Sequence, residues 1–215
     1  EPKWTRNHHK LNSISAVVSA QGRVFYIVDR SSAGNMDIPG RWYLVARDGF
    51  NGVQLWEKRL SSWAWHLNKF RSGPMQLPRT LVAVGDRVYA PLGMDKPVSA
   101  LDAATGEIIS TYDETAGVEE IILDDGVLLV ATGAPGPEQA AIGPDWFVKG
   151  KYPNKKSIVA LQADTGELLW KWSESEDLQY VPLTLAAAGG RVFFQTDRAL
   201  LCVNSRTGKE VWRFA

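Results

Sequence analysis

One eleven-residue pattern recurs four times along the chain, and it constrains the fold more than any bulk property does. The first copy reads Ala46-Arg47-Asp48-Gly49-Phe50-Asn51-Gly52-Val53-Gln54-Leu55-Trp56. Ala100, Asp102, Thr105, Gly106 and Ser110 hold the corresponding places in the second copy. The third has Ala160, Gln162, Thr165, Gly166 and Trp170, and the fourth Cys202, Asn204, Thr207, Gly208 and Trp212. A small residue thus lies six before every glycine, and in three copies a Trp lies four after it. The chemistry is that of a hairpin. Asp or Asn at the strand end suits side-chain bonds to the turn backbone, and Gly supplies the positive φ that closing a hairpin often requires.

A second hairpin precedes each copy, turning at Gln21-Gly22, Gly85-Asp86, Asp124-Asp125-Gly126 and Gly189-Gly190. Each unit is therefore four antiparallel strands, A to D. The units span 13–59, 80–113, 118–172 and 183–215, after an N-terminal segment 1–12. Four-stranded units in series predict an all-β chain, a β-propeller whose blades pack face to face around an axis. Gly52, Gly106, Gly166 and Gly208, with Trp56, Trp170 and Trp212, are then docking positions. The indole fills the wedge between neighbouring blades, and burying it is worth roughly 3 kcal/mol. Ser110 stands where the second unit should have Trp, so that junction must be filled otherwise or be weaker.

Four blades form an arc whose end faces are apolar, which a soluble monomer rarely tolerates. The ring can close with four blades, by dimerisation, or with further blades of a longer chain. The last is the expectation, because whole blades run from strand A to strand D, and an arc-to-arc dimer comes second.

Composition narrows the function classes. Lys+Arg and Asp+Glu balance at 24 each, which leaves no global field to attract nucleic acid. No apolar run approaches the length of a membrane-spanning helix. A single cysteine, Cys202, excludes an internal disulfide and a CxxC metal knuckle. It takes the small-residue position mid-strand, where a buried structural role is expected. The acidic runs Glu119-Glu120 and Glu174-Ser175-Glu176-Asp177 read as solvated edges.

The A–B and C–D turns are short, whereas the B–C and D–A connections carry the long segments, and in a propeller those emerge on one face. Loops held by a rigid scaffold are where binding sites concentrate. That face collects Trp4, Arg6, His8 and His9 from the N-terminal segment. It also collects Trp42, Trp63, Trp65, His66, Arg41, Arg71 and Trp146. An aromatic and cationic surface suits a sugar, a peptide, a quinone or an anion, although the same rings can simply anchor long loops. His8 and His9 are adjacent, so on an extended segment they point to opposite sides. No carboxylate stands at a metal-ligand spacing and no paired acid and base appears, so neither a metal site nor a catalytic residue is assigned.

The pattern Ala-x-Asp-x-x-Thr-Gly-x-x-x-Trp resembles the tryptophan-docking repeat of pyrroloquinoline-quinone (PQQ) propellers, over residues 13 to 215. That superfamily includes quinoprotein alcohol and glucose dehydrogenases and the non-catalytic lipoprotein of the outer-membrane barrel-assembly machinery. The stretch Trp4-Thr5-Arg6-Asn7-His8-His9, with 24–29, also resembles large PQQ-like repeat proteins of planctomycete-type bacteria. The resemblance implies a bacterial, periplasmic or otherwise exported protein. Two functions follow from it. The first is a non-catalytic binding or scaffolding module with no cofactor, whose partners are proteins or further propeller blades. The alternative is part of a PQQ-dependent alcohol or sugar dehydrogenase, or an accessory propeller of a larger enzyme, with PQQ and Ca²⁺. Such dehydrogenases commonly carry an adjacent cysteine pair and Glu, Asn and Asp ligands to calcium, none of which can be matched residue by residue here.

Overall fold

A computed structural model describes residues 14–30, 41–61, 77–93, 96–133 and 155–215. They form four antiparallel sheets of four strands each, in the orders β1-β2-β3-β4, β5-β6-β7-β8, β9-β10-β11-β12 and β13-β14-β15-β16. The first blade holds β1 (Ile14–Ala20), β2 (Arg23–Asp29), β3 (Trp42–Asp48) and β4 (Gln54–Arg59). The second holds β5 (Val82–Val84), β6 (Arg87–Pro91), β7 (Val98–Asp102) and β8 (Ile108–Tyr112). Then come β9 (Val118–Asp124), β10 (Val127–Thr132), β11 (Ser157–Gln162) and β12 (Leu168–Ser173). The last blade is β13 (Ala186–Ala188), β14 (Arg191–Gln195), β15 (Leu200–Asn204) and β16 (Glu210–Phe214). The sixteen strands are the A to D strands expected from the repeats, with ends shifted by one to three residues.

Three of the four C–D turns share one side-chain device. Asp48 Oδ1 accepts from the N–H groups of Phe50 and Asn51, Asp102 Oδ1 from those of Ala104 and Thr105, and Asn204 Oδ1 from those of Arg206 and Thr207. These are the local side-chain bonds that the strand-end residues suggest. They hold the Asp48 and Asp102 carboxyls below the usual carboxylate range, chiefly through Asn51 N–H and Thr105 N–H respectively. Gly52, Gly106, Gly166 and Gly208 close the turns at φ +65 to +76°, and three residues later Leu55, Ile109, Leu169 and Val211 each form a one-residue bulge in the D strand. One further bond ties the two hairpins of every blade: Gly49, Ala103, Ala163 and Ser205 N–H donate to Gly22, Asp86, Gly126 and Gly190 O.

The core lies between blades. Phe25, Leu44 and Ala46 of the first blade pack on Val88, Ala90 and Leu101 of the second. Tyr89, Val98 and Ala100 pack on Leu128, Val130 and Leu161 of the third. Leu129, Ile158 and Ala160 pack on Val192, Phe194 and Leu201 of the fourth. The small residues Ala46, Ala100, Ala160 and Cys202 are all fully buried, as their place in the repeat requires. The inner strands β1, β5, β9 and β13 touch in that order, so the blades form an arc around one axis.

Candidate functional site

The blade junctions share one contact. Trp56 Nε1–H donates to Ala103 O at 3.0 Å, and its indole lies on Gly106, where an added Cβ would sit 2.7 Å from the ring. Trp170 repeats this on the fourth blade, donating to Ser205 O at 2.7 Å and lying on Gly208. The acceptor in each case is the carbonyl three residues before the glycine. Only glycine leaves room for an aromatic ring at that distance.

The second junction is filled otherwise, by Tyr112. Its hydroxyl donates to Ala163 O at 2.6 Å, the same acceptor position, and its ring sits 3.5 Å from where a Cβ on Gly166 would be. Tyr112 stands two residues after Ser110, on the same face of β8, because strand side chains alternate. It is 3% exposed and stacks on Tyr89, and burial pushes its phenol up to about 12. The phenol therefore stays protonated as a donor across the neutral range.

Polar bridges reinforce the turn end of each junction. Arg23 faces Asp86, Arg87 binds Asp164 at 2.6 Å, and Arg206 reaches Asp125 at 3.2 Å and Gln162 at 3.3 Å. All have an exposed partner, so each contributes little alone.

At the inner strands a buried carboxylate joins several blades. Glu120 on β9 is 1% exposed and lies 2.6 Å from the guanidinium of Arg79, which precedes β5. Arg79 also donates to Leu183 O and Leu185 O ahead of the fourth blade. Burial raises the Glu120 pKa, with Arg79 opposing that shift. Glu119 is paired with Lys156 Nζ at 2.6 Å, and Glu174 accepts from the N–H groups of Lys156 and Tyr180. The acidic runs are therefore not solvated edges throughout: Glu119, Glu120 and Glu174 are structural ties, and of the acidic residues in them only Glu176 and Asp177 are exposed.

Of the residues expected on the loop face, Trp42 and Arg41 lie within the described residues. Trp42 opens β3 and is 6% exposed, packed in the core between the first two blades. It is a packing group, on the same face as Leu44 and Ala46. Arg41 donates to Arg30 O at 2.9 Å. Trp4, Arg6, His8, His9, Trp63, Trp65, His66, Arg71 and Trp146 lie outside the described residues. Cys202 is buried on β15, as expected for a structural thiol. Among the described residues, no three His, Cys, Asp or Glu side chains are grouped to hold a metal ion. Within the described residues the buried Glu120 is paired with Arg79, and Cys202 is the chain's single cysteine.

The two ends of the arc differ from its interior. No ring lies on Gly52, where an added Cβ would meet nothing within 4 Å. At the other end every residue of β16 is exposed, Trp212 by 39% and Phe214 by 73%. Trp212 occupies the docking position, and among the described residues no blade covers it.

Residues 154–215 match the family model described as outer membrane protein assembly factor BamB, a PQQ-repeat model. No curated protein matches the sequence. Among solved structures, the quinohemoprotein alcohol dehydrogenase of Comamonas testosteroni is similar at TM-score 0.57 and 14% identity, over 94% of this chain and 35% of that one. The acylaminoacyl peptidase of Pyrococcus horikoshii is similar at TM-score 0.59 and 10% identity, over 95% of this chain and 33% of that one. The Pan2 WD40 domain of Neurospora crassa is similar at TM-score 0.51 and 10% identity, over 100% of this chain and 52% of that one. The chain thus spans between a third and about half the length of these structures. At such identities the likeness concerns the fold. The four four-stranded sheets and the likeness to propeller structures show a β-propeller, and its residues 154–215 match a PQQ-repeat model.

Proposed function

We propose that this chain is a non-catalytic PQQ-type propeller module that binds or scaffolds other proteins in the bacterial cell envelope. The observation that carries the reading is how the docking machinery is used. Three aromatic docks join the blades rigidly, while the fourth aromatic, Trp212, is presented outward on a wholly exposed strand. Exposed aromatic surface on a rigid scaffold is the ordinary mark of a protein contact. Near the axis Glu120 is paired with Arg79 and Glu119 with Lys156, which supports a structural rather than a chemical role for these two carboxylates. The match to the barrel-assembly factor model supports an envelope location.

Two measurements test this. The protein, incubated with PQQ and Ca²⁺, is assayed for dye-linked oxidation of alcohols and sugars, and no turnover is expected. Fractionation of the producing cells is expected to recover it outside the cytoplasm. Quinone-dependent turnover would replace this reading with that of a dehydrogenase.

A further inference from the structure

The same chain carries both halves of one more junction. The outward half is on the fourth blade. Phe193 pairs with Cys202 and Cys202 with Trp212 across β14, β15 and β16, as Phe25 pairs with Ala46 and Ala46 with Trp56 in the first blade. The ring geometry repeats too: Phe193 and Trp212 lie 6.1 Å apart, Phe25 and Trp56 5.9 Å. The difference is cover. Phe25 is fully buried beneath the second blade, whereas Phe193 is only half-buried and Trp212 is exposed.

The receiving half is on the first blade. Gly49 and Gly52 hold the places of Ala103 and Gly106, Ala163 and Gly166, and Ser205 and Gly208. Gly49 N–H makes the same bond to the A–B turn as its counterparts, so its carbonyl is set by the same turn geometry. Gly52 has φ +73° and open space where a ring would lie. One substitution distinguishes this face. Arg47 stands where Leu101, Leu161 and Val203 stand in the later blades, and it donates to Tyr26 Oη at 2.8 Å and to Gly52 O at 2.6 Å. A guanidinium there offers an incoming indole a cation–π partner.

We propose that two copies of this chain join end to end, Trp212 of each entering the Gly49–Gly52 turn of the other. A two-fold pair satisfies both halves twice and closes the arcs into one ring of eight blades, leaving no unpartnered plug or dock. The inference rests on reading the chain as a protein-binding propeller, and it names the partner as a second copy.

The test is the mass in solution by light scattering over a concentration series, for the wild type, Trp212→Ala and Gly52→Asn. Asn tolerates the left-handed backbone, but its Cβ stands where the indole must lie. The wild type is expected to move from 23.8 kDa towards twice that mass. Losing one buried aromatic anchor weakens association by roughly 30-fold. Each variant alone loses both junctions, so its dissociation constant rises by about 1,000-fold. Mixing the two variants restores one intact junction, the Trp212 of one in the Gly52 turn of the other. The mixture should therefore pair about 30-fold more tightly than either variant alone. A wild type that stays monomeric overturns the proposal, and so does a pair that survives Gly52→Asn or a mixture that gains nothing. A monomer that also shows no quinone-dependent turnover would remove the pairing and leave the non-catalytic reading intact.

Discussion

Four glycines in equivalent turns, with nearly equal φ, allow the docking contact to be separated from backbone strain. Replacing any of them by Ala places a Cβ in the left-handed region, at a cost of about 1–2 kcal/mol. At Gly52 that is the whole effect, because nothing lies within 4 Å of the new methyl. Gly166→Ala should cost the same, since its methyl would meet Tyr112 at 3.5 Å, an ordinary contact. At Gly106 and Gly208 the methyl would sit 2.7 Å from the Trp56 and Trp170 rings. The indole must move and loses its bond to the carbonyl, adding about 1–3 kcal/mol of overpacking. The predicted order of damage is Gly106 and Gly208 above Gly166 and Gly52. Urea midpoints at constant slope read it directly. The series is run in a Trp212→Ala background, so that pairing of copies does not contribute. In a Trp56→Ala background the excess at Gly106 should vanish, because the clash needs the ring. Equal losses at all four positions, or an excess at Gly106 that survives without Trp56, would refute the docking account.

Other consequences are more local. Tyr112→Phe leaves the buried Ala163 carbonyl without its donor and should lower stability by about 1–3 kcal/mol, seen as a lower urea midpoint. Ser110→Trp, which would restore the repeat pattern, should bring no gain by the same measure, because Tyr112 already lies on Gly166. Arg79→Ala strands the buried Glu120 carboxylate and should cost roughly 3 kcal/mol at neutral pH, by thermal or urea unfolding. Burial raises the folded-state pKa of Glu120 above the 4.5 of an ordinary glutamate. Its contribution to stability is thus full below that value and is lost as pH rises through the folded one. Glu120→Gln should flatten the fall in stability above pH 4.5, checked by unfolding across pH. Cys202 is fully buried, so thiol reagents should label it only as the protein unfolds, followed by absorbance in increasing urea.

The sixteen strands and the docked Trp56 and Trp170 were legible because the hairpin imposes a fixed spacing on glycine, polar strand end and Trp. Tyr112 was not, because a search for Trp four after glycine passes over a phenol two residues later. The alternation of strand faces was the signal that could have found it. Trp42 was misplaced for a related reason. Counting loop length put it at the mouth, whereas its alternation with Leu44 and Ala46 puts it on the buried face of β3. Glu119-Glu120 looked solvated because nothing local marks their partners: Arg79 and Lys156 arrive from other strands and connections. The open ends of the arc were anticipated in kind, but which atoms remain unpartnered depends on three-dimensional register. The Arg47 substitution gains its meaning only when it is seen facing away from the second blade.

The most direct test of the aromatic dock is exchange of the indole N–H protons, resolved by nitrogen-15 NMR. Trp56 and Trp170 donate into blade junctions, so their indole protons should exchange only with opening of those junctions, orders of magnitude more slowly than a free indole. The Trp212 proton should be protected only in proportion to the paired copies present. Rapid exchange at Trp56 and Trp170 under native conditions would contradict the account.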